Sequence, residues 1–305
     1  MSTSAKVKQI LEDNGLDFII EKHPLYGTDG KGNQIISPYY GLYNPKAGLY
    51  INSVKEGYTI SQNHEIMEMV LEGTKKFGSQ LRVQKAGSIH DGRKVYIQLE
   101  IEGDSILKDG DKIKRYITVI DSNDGSTSLC VGIGDLCMSC KNQFYRFYRA
   151  GQSKFRHTPT LEEKIITIPS LIETALSESL RQIKIYNGFQ STKVSRTLAH
   201  QLVNAVLGYD MISVENEGRE LTTRSLNIME SLYANINNEM DSKGDNLWGL
   251  HSGVTSWTTH DRKGPKRTNG QIESMLIGTS YKKNMISFEF AMKEAKKRKL
   301  DLELV

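Results

Sequence analysis

An α+β fold is predicted: an antiparallel β-meander flanked by helices, then a mainly helical C-terminal half. Three observations predict it. Val95, Ile97, Leu99 and Ile101 alternate with Lys94, Tyr96, Gln98 and Glu100, the period of a strand with one buried face. His90-Asp91-Gly92 and Asn123-Asp124-Gly125 separate consecutive apolar runs, and Asp-Gly is a hairpin turn pair. Beyond Pro169 the period becomes helical, through Ile172, Leu176, Leu180 and Ile183.

In chain order, a short opening helix precedes a stretch from Phe18 to Ser61 rich in Gly, Tyr, Pro and Asn, with extended segments at Gln34–Tyr40 and Gly48–Val54. Asn63 is a suitable N-cap for a helix carrying Glu65 and Glu68 early, Ile66, Val70, Thr74 and Phe77 at helical spacing, Lys75 and Lys76 late, and Gly78 at its end. Strands follow at Leu81–Ile89, Arg93–Ile101, Ile113–Asp121 and Thr127–Ile133, then a helix at Asp135–Ala150 closed by Gly151. Thr158-Pro159-Thr160 interrupts both periods, which divides the chain into 1–57, 58–160 and 161–305. Helices are expected after Pro169, at Thr192–Gly208, at Arg219–Met240, around Trp248 and at Gln271–Lys299, with an exposed loop at Asp261–Gly270.

Composition excludes several classes. Of 305 residues 38% are apolar and 25% charged, with 26 Gly and 6 Pro, which is neither collagenous nor disordered. No apolar run approaches the roughly 18 residues of a membrane span, and the N-terminus has no signal-like apolar stretch, so cytosolic residence is expected. Cys130, Cys137 and Cys140 fit a reducing compartment better than a disulfide framework. The net charge of +4 hides two basic zones flanking an acidic one: Lys141, Arg146, Arg149, Lys154 and Arg156 occur without an acid between residues 141 and 160, and residues 251–305 are again base-rich.

On a helix over 135–150, Cys137, Cys140, Phe144 and Phe147 share the packing face, while Lys141, Tyr145 and Arg149 form another stripe beside Asn142 and Arg146. Such a basic, aromatic ridge, extended by Lys154, Phe155, Arg156 and His157, suits an unpaired nucleic acid, because cations meet phosphates and rings stack on bases; a solvated helix face with ordinary core aromatics weighs about equally. Lys193 and Arg196, in the polar stretch Asn187–Arg196 that opens a helix, form a phosphate seat, with Ser191 or Thr192 as a simple N-cap the even alternative. A zinc site from the three cysteines and His157 has unconvincing spacing, and a redox CxxC lacks its βαβ context. Asp121–Ser126 reads as a capped turn rather than a calcium loop. Glu100, Asp121 and Asp124, with His90 or His157, are the residues a metal-dependent nuclease would use, although nothing in their spacing singles them out. The histidines read as structural, and GxSxG, Walker, GxGxxG and HExxH motifs are absent. No cofactor is assigned.

The segments Tyr58–Asn63, Ala86–Val95, Asp121–Ser126, Cys140–Asn142 and Arg156–Thr158, followed by Asn246–Gly249, Thr255, the Arg262–Arg267 basic loop and Glu273-Ser274, resemble in order the phage/plasmid-like family called domain of unknown function 932. The order helix, antiparallel strands, basic helix is similar, more distantly, to the β-β-β-α core of single-strand annealing recombinases, which include eukaryotic annealing proteins and the phage Red beta type. That resemblance implies a non-catalytic protein of phage or mobile-element recombination in a bacterial cytoplasm. Subunits would join in rings or filaments and work beside a phage exonuclease. It also implies contacts to single-stranded DNA from Arg93, Lys94, Lys141, Tyr145, Arg146, Arg149, Lys154 and Arg156. The alternatives are the metal-dependent hydrolase above and a host-directed anti-defence protein whose Lys/Arg surface meets an acidic partner.

Overall fold

The computed structural model describes residues 3–147, 154–208, 221–266 and 269–298. Helix α1 (Thr3–Asp13) leads into a three-stranded antiparallel sheet, β1 (Glu21–Thr28), β2 (Gln34–Asn44) and β3 (Leu49–Lys55), in the order β1-β2-β3. After α2 (Asn63–Lys75) come β4 (Leu81–Ile89), β5 (Lys94–Ile106), β6 (Lys112–Ser122), β7 (Leu129–Cys137) and β8 (Gln143–Phe147), an antiparallel meander in sequence order; β9 (Lys154–Phe155) pairs with β7. The remainder is helical: α3 (Leu161–Ile165), α4 (Ile168–Ser191), α5 (Thr197–Leu207), α6 (Thr223–Lys243), α7 (Leu247–Ser256), a π-helical turn (Trp257–Asp261), α8 (Gly270–Leu276) and α9 (Thr279–Lys297). This is the α+β class that the alternating and helical periods predict.

Register divides the large sheet into two faces. The inner face carries Val95, Ile97 and Leu99 on β5 opposite Asp121, Val119 and Ile117 on β6, continuing into Val131 and Ile133 on β7. These pack against Ile66 and Val70 of α2 and Ile168, Ile172 and Ala175 of α4 in one buried cluster. The outer face carries Lys94, Tyr96, Gln98 and Glu100 opposite Ser122, Ile120, Thr118 and Tyr116. Only part of it is covered: Leu276 of α8 joins Tyr96, Ile120 and Phe147 in a smaller cluster. A second large core, around Tyr186, Phe189, Leu202, Ile236, Val254, Trp257 and Phe288, joins α4 to the C-terminal helices.

The meander matches its sequence signals closely. β4 has the expected bounds, and the β4–β5 turn takes positive φ at His90 (54°), Asp91 (55°) and Gly92 (90°), the left-handed geometry such hairpins require. Asp124 Oδ1 accepts from Ser126 N at 2.9 Å and Ser122 Oγ donates to Thr127 O at 2.6 Å, the capped turn expected for Asp121–Ser126.

The expected helix at Asp135–Ala150 is corrected. β7 runs on to Cys137, a turn follows with Lys141 at φ 59°, and β8 returns antiparallel, pairing Asp135 with Phe144 and Gly134 with Tyr145. Residues 148–150 lie outside the described residues. Phe144 and Phe147, three apart, suit a helical face, whereas Tyr145 and Phe147, two apart, suit a strand face, and Gln143-Phe-Tyr-Arg-Phe has high strand propensity once β7 offers an unpaired edge. Glycines on β7 make the pairing close: a Cβ on Gly132 would lie 2.5 Å from Arg146 O, and one on Gly134 2.7 Å from the Tyr145 ring. Consequently Phe144 and Arg146 point to the inner face and Tyr145 and Phe147 to the outer, so the basic stripe does not form.

Smaller corrections concern helix ends. Gln62, not Asn63, is the N-cap of α2, with Gln62 N donating to Glu65 Oε2 at 2.9 Å. Asn187–Ser191 is the last turn of α4, and Thr192 Oγ1 donates back to Gly188 O at 2.8 Å, so neither Ser191 nor Thr192 opens α5. The helix expected over 271–299 is broken at Gly278, where a Cβ would lie 2.8 Å from Ser274 Cα.

Candidate functional site

On the uncovered part of the outer face lies a hollow of about 380 Å³ whose lining includes Lys85, Tyr96, Gln98, Tyr116, Gln143 and Tyr145, walled on one side by Ile272 and Met275 of α8. Strand alternation places the three tyrosines on one side of the sheet. Gly134 beneath Tyr145, and Gly87, whose Cβ would touch the Tyr96 hydroxyl at 3.0 Å, leave room for the rings. Gln98 Nε2 donates to Tyr145 Oη at 3.1 Å, and that hydroxyl donates to Gln143 Oε1 at 3.2 Å, which fixes the ring in place. Burial pushes the Tyr145 hydroxyl up to about 12 and raises Tyr96 and Tyr116, so all three stay neutral donors at neutral pH. Tyr96 is buried, whereas Tyr116, Tyr145, Gln98 and Gln143 are half-buried and Lys85 is exposed. Lys85 Nζ lies 5.8 Å from the Tyr96 ring centroid. In a neighbouring hollow that shares Lys85, Glu100 bonds Arg82 at 2.9 Å and Lys114 at 3.0 Å; burial would raise its pKa, but the two cations hold it below the usual carboxylate range. This surface offers flat rings, amide donors and acceptors, and a cationic margin.

A second polar group sits at the other end of β5. Lys94, buried, contacts Glu273 at 3.2 Å and Asp124 at 3.5 Å, and Glu273 also meets His90 at 2.9 Å. Beside it, on the inner face, Asp121 accepts from Ser61 Oγ and meets His157 Nε2 at 2.9 Å, while the His157 ring stacks on Tyr58 at 4.8 Å. Burial would lower the His157 pKa, but the Asp121 carboxylate outweighs it and raises the value. His157 Nδ1 meets Thr59 O at 3.0 Å, so both nitrogens are engaged and the group latches β6 to the segment before α2.

The residues expected to bind nucleic acid are therefore scattered. Lys94 and Tyr145 share the outer face. Arg93 donates to Ile51 O and, at 3.4 Å, to Tyr50 O, tying β5 to β3. Arg146 faces inward, 3.4 Å from Glu178 and 5.4 Å from the Phe288 ring. Lys141 is exposed on the β7–β8 turn, Lys154 and Arg156 belong to β9 and its exit, and Arg149 lies outside the described residues. Lys193 and Arg196 precede α5, with Arg196 paired to Asp241 at 2.6 Å and Asp245 at 3.0 Å. The nuclease set does not assemble: Glu100 is on the outer face opposite Tyr116, while Asp121 is on the inner face opposite Val95. Among the described residues no three His, Cys, Asp or Glu side chains are placed to hold a metal ion. Cys130 and Cys137 belong to separate buried clusters. Tyr116 was missed in the sequence, although its two-residue step from Thr118 and Lys114 marks the outer face.

Fold and site define an α+β protein whose antiparallel sheet carries helices on one face and a tyrosine-lined hollow on the other. Residues 50–297 match the family described as Domain of unknown function (DUF932), and the chain belongs to that family. No curated protein and no solved structure matches the chain. No helix among the described residues is long and apolar enough to cross a membrane.

Proposed function

We propose that this protein binds single-stranded nucleic acid on the outer face of its large sheet, acting in phage or mobile-element recombination as a non-catalytic, oligomeric annealing protein. The observation that carries the reading is the hollow of Tyr116 and Tyr145 with Gln98, Gln143 and Lys85. Aromatic side chains on an antiparallel sheet stack bases of any sequence at roughly 1–3 kcal/mol per base, and a duplex cannot offer its base faces there. Of the annealing-type resemblance, α2 and the meander that follows it remain, whereas the expected basic helix is replaced by β8. Arg146 leaves the proposed contact set because its side chain is held inside the fold.

The test is fluorescence anisotropy with labelled oligothymidylate across a salt series. Log affinity is expected to fall with log salt at a slope of about −0.7 per phosphate contacted, and Tyr116→Ala and Tyr145→Leu are each expected to weaken binding. A salt-independent or undetectable interaction rejects the proposal. Cleavage of the oligonucleotide with magnesium or manganese would overturn the non-catalytic part, and a monomeric mass in solution the oligomeric part.

A further inference from the structure

Four cations meet where α6, the π-helical turn and α9 converge. Arg224, Arg262, Lys263 and Lys283 line a hollow of about 680 Å³, and the acid that lines it with them, Asp261, is turned to neutral donors: its Oδ2 accepts from Ser231 Oγ at 3.2 Å and Asn235 Nδ2 at 2.6 Å. None of the four cations forms an ion pair with a carboxylate among the described residues. Arg262 donates instead to Ser274 Oγ at 3.3 Å and Ser280 Oγ at 3.2 Å, and Lys283 to Val206 O at 2.8 Å, its ammonium 5.9 Å from the Trp257 ring.

This arrangement is costly without a counter-charge. Arg262 and Lys283 are half-buried; burial lowers both pKa values, and the Arg262 charge lowers Lys283 further. Buried cations are ordinarily paired. The backbone that presents Arg262 is itself unusual, since Arg262 N donates to Trp257 O at 2.8 Å to close a π-helical turn, a feature frequent at functional sites.

We propose that Arg224, Arg262, Lys263 and Lys283 form a seat for a phosphate-bearing anion. A multivalent anion matches several uncompensated cations, and the planar guanidinium fork of Arg262 fits the oxygens of a phosphate. The phosphate arrives either on a small phosphorylated molecule or along a polynucleotide backbone. The seat draws no residue from the tyrosine hollow and does not rest on the reading of that surface.

Calorimetric titration of the full chain with inorganic pyrophosphate at low salt tests it. Binding is expected, weakened about 10-fold or more by Arg262→Gln or Lys263→Gln, as for loss of a charge-assisted contact, and unchanged by Tyr145→Leu. Lys263 is exposed, so its substitution keeps the test valid should Arg262→Gln fail to fold. Absence of pyrophosphate binding overturns the proposal. So does equal binding by wild type and Lys263→Gln, or capture of polyglutamate in preference to pyrophosphate. Competition identifies the source: displacement of pyrophosphate by oligothymidylate supports the seat as one for backbone phosphate, and retention of pyrophosphate beside bound oligothymidylate supports it as one for a small phosphorylated molecule.

Discussion

Gly134→Ala tests the tyrosine hollow through its floor. The added carbon would lie 2.7 Å from Cδ1 and Cε1 of Tyr145 and 3.4 Å from Thr118 Oγ1. Carbon atoms pack best about 3.5–4.0 Å apart, so the ring must move by about 1 Å. That movement strains the bonds from Gln98 and to Gln143, each worth roughly 0.5–1.5 kcal/mol. Overpacking adds about 1–3 kcal/mol, and the lower entropy cost of ordering Ala returns roughly 0.5–1 kcal/mol. The net expectation is a destabilisation of about 1–3 kcal/mol, read from urea unfolding. If one base stacks on Tyr145, losing that contact raises the Kd for oligothymidylate roughly 5–150-fold, read by anisotropy under conditions where the variant is folded. Gly132→Ala is the control, because there the clash is with Arg146 O at 2.5 Å and Phe147 Cα at 3.0 Å, backbone atoms that cannot swing aside. It is expected to cost more stability than Gly134→Ala. A folded Gly134→Ala that binds as wild type would refute a role for Tyr145 as a stacking platform.

Three further outcomes follow from the fold. The raised pKa of His157 beside Asp121 gives a contribution fully present below the ordinary histidine range and lost as pH rises through the raised value; urea midpoints from pH 5 to 9 are expected to show this decline in wild type and not in Asp121→Asn. His251, buried among Phe144, Phe189, Trp248 and Phe288, is pushed down to about 3 by burial, so its contribution is present above about 6.5, the unfolded value, and is lost as pH falls towards 3. His251→Phe is expected to be less acid-sensitive than wild type between pH 6.5 and 4, at the cost of the bond to Ser287 at 2.9 Å. Gly253→Ala would set a carbon 2.3 Å from Ile236 Cα and force α6 from α7, with an expected loss of about 1–3 kcal/mol or more in thermal or chemical unfolding.

Much of the fold was legible because its signals are local. Asp-Gly turns and strict alternation placed β4 to β7 within a few residues, and Pro169 marked the start of α4. The segment after β7 was misread because Cys137, Cys140, Phe144 and Phe147 satisfy a helical face. What decides against the helix is an unpaired sheet edge and two glycines beneath two rings, and pairing partners lie outside any local window. Gly132-x-Gly134 was nevertheless a usable sign, since glycines two apart in a strand mark close approach of another segment. The tyrosine hollow needed the register, because only pairing aligns Tyr96, Tyr116 and Tyr145 across three strands. The cationic seat needed the tertiary fold: Arg262 and Lys263 were visible as a basic loop, but Arg224 and Lys283 come from separate helices.

Whether the two surfaces serve one ligand turns on α8. Ile272 and Met275 wall the tyrosine hollow, while Glu273 and Ser274 line a further hollow with Lys94, Arg262 and Lys263 on the other side of the same helix. A single strand occupying both must cross or skirt α8, so only an oligonucleotide long enough to make that passage senses Lys263. If one strand spans both, Lys263→Gln weakens a long oligothymidylate, leaves a short one unaffected, and adds its effect to that of Tyr145→Leu, since the two contacts are made independently along the strand. If the seat serves a separate phosphate compound, Lys263→Gln leaves every oligonucleotide length unchanged while still weakening pyrophosphate. Sensitivity of short and long oligonucleotides alike to Lys263→Gln, with none to Tyr145→Leu, would remove the tyrosine hollow from the strand path.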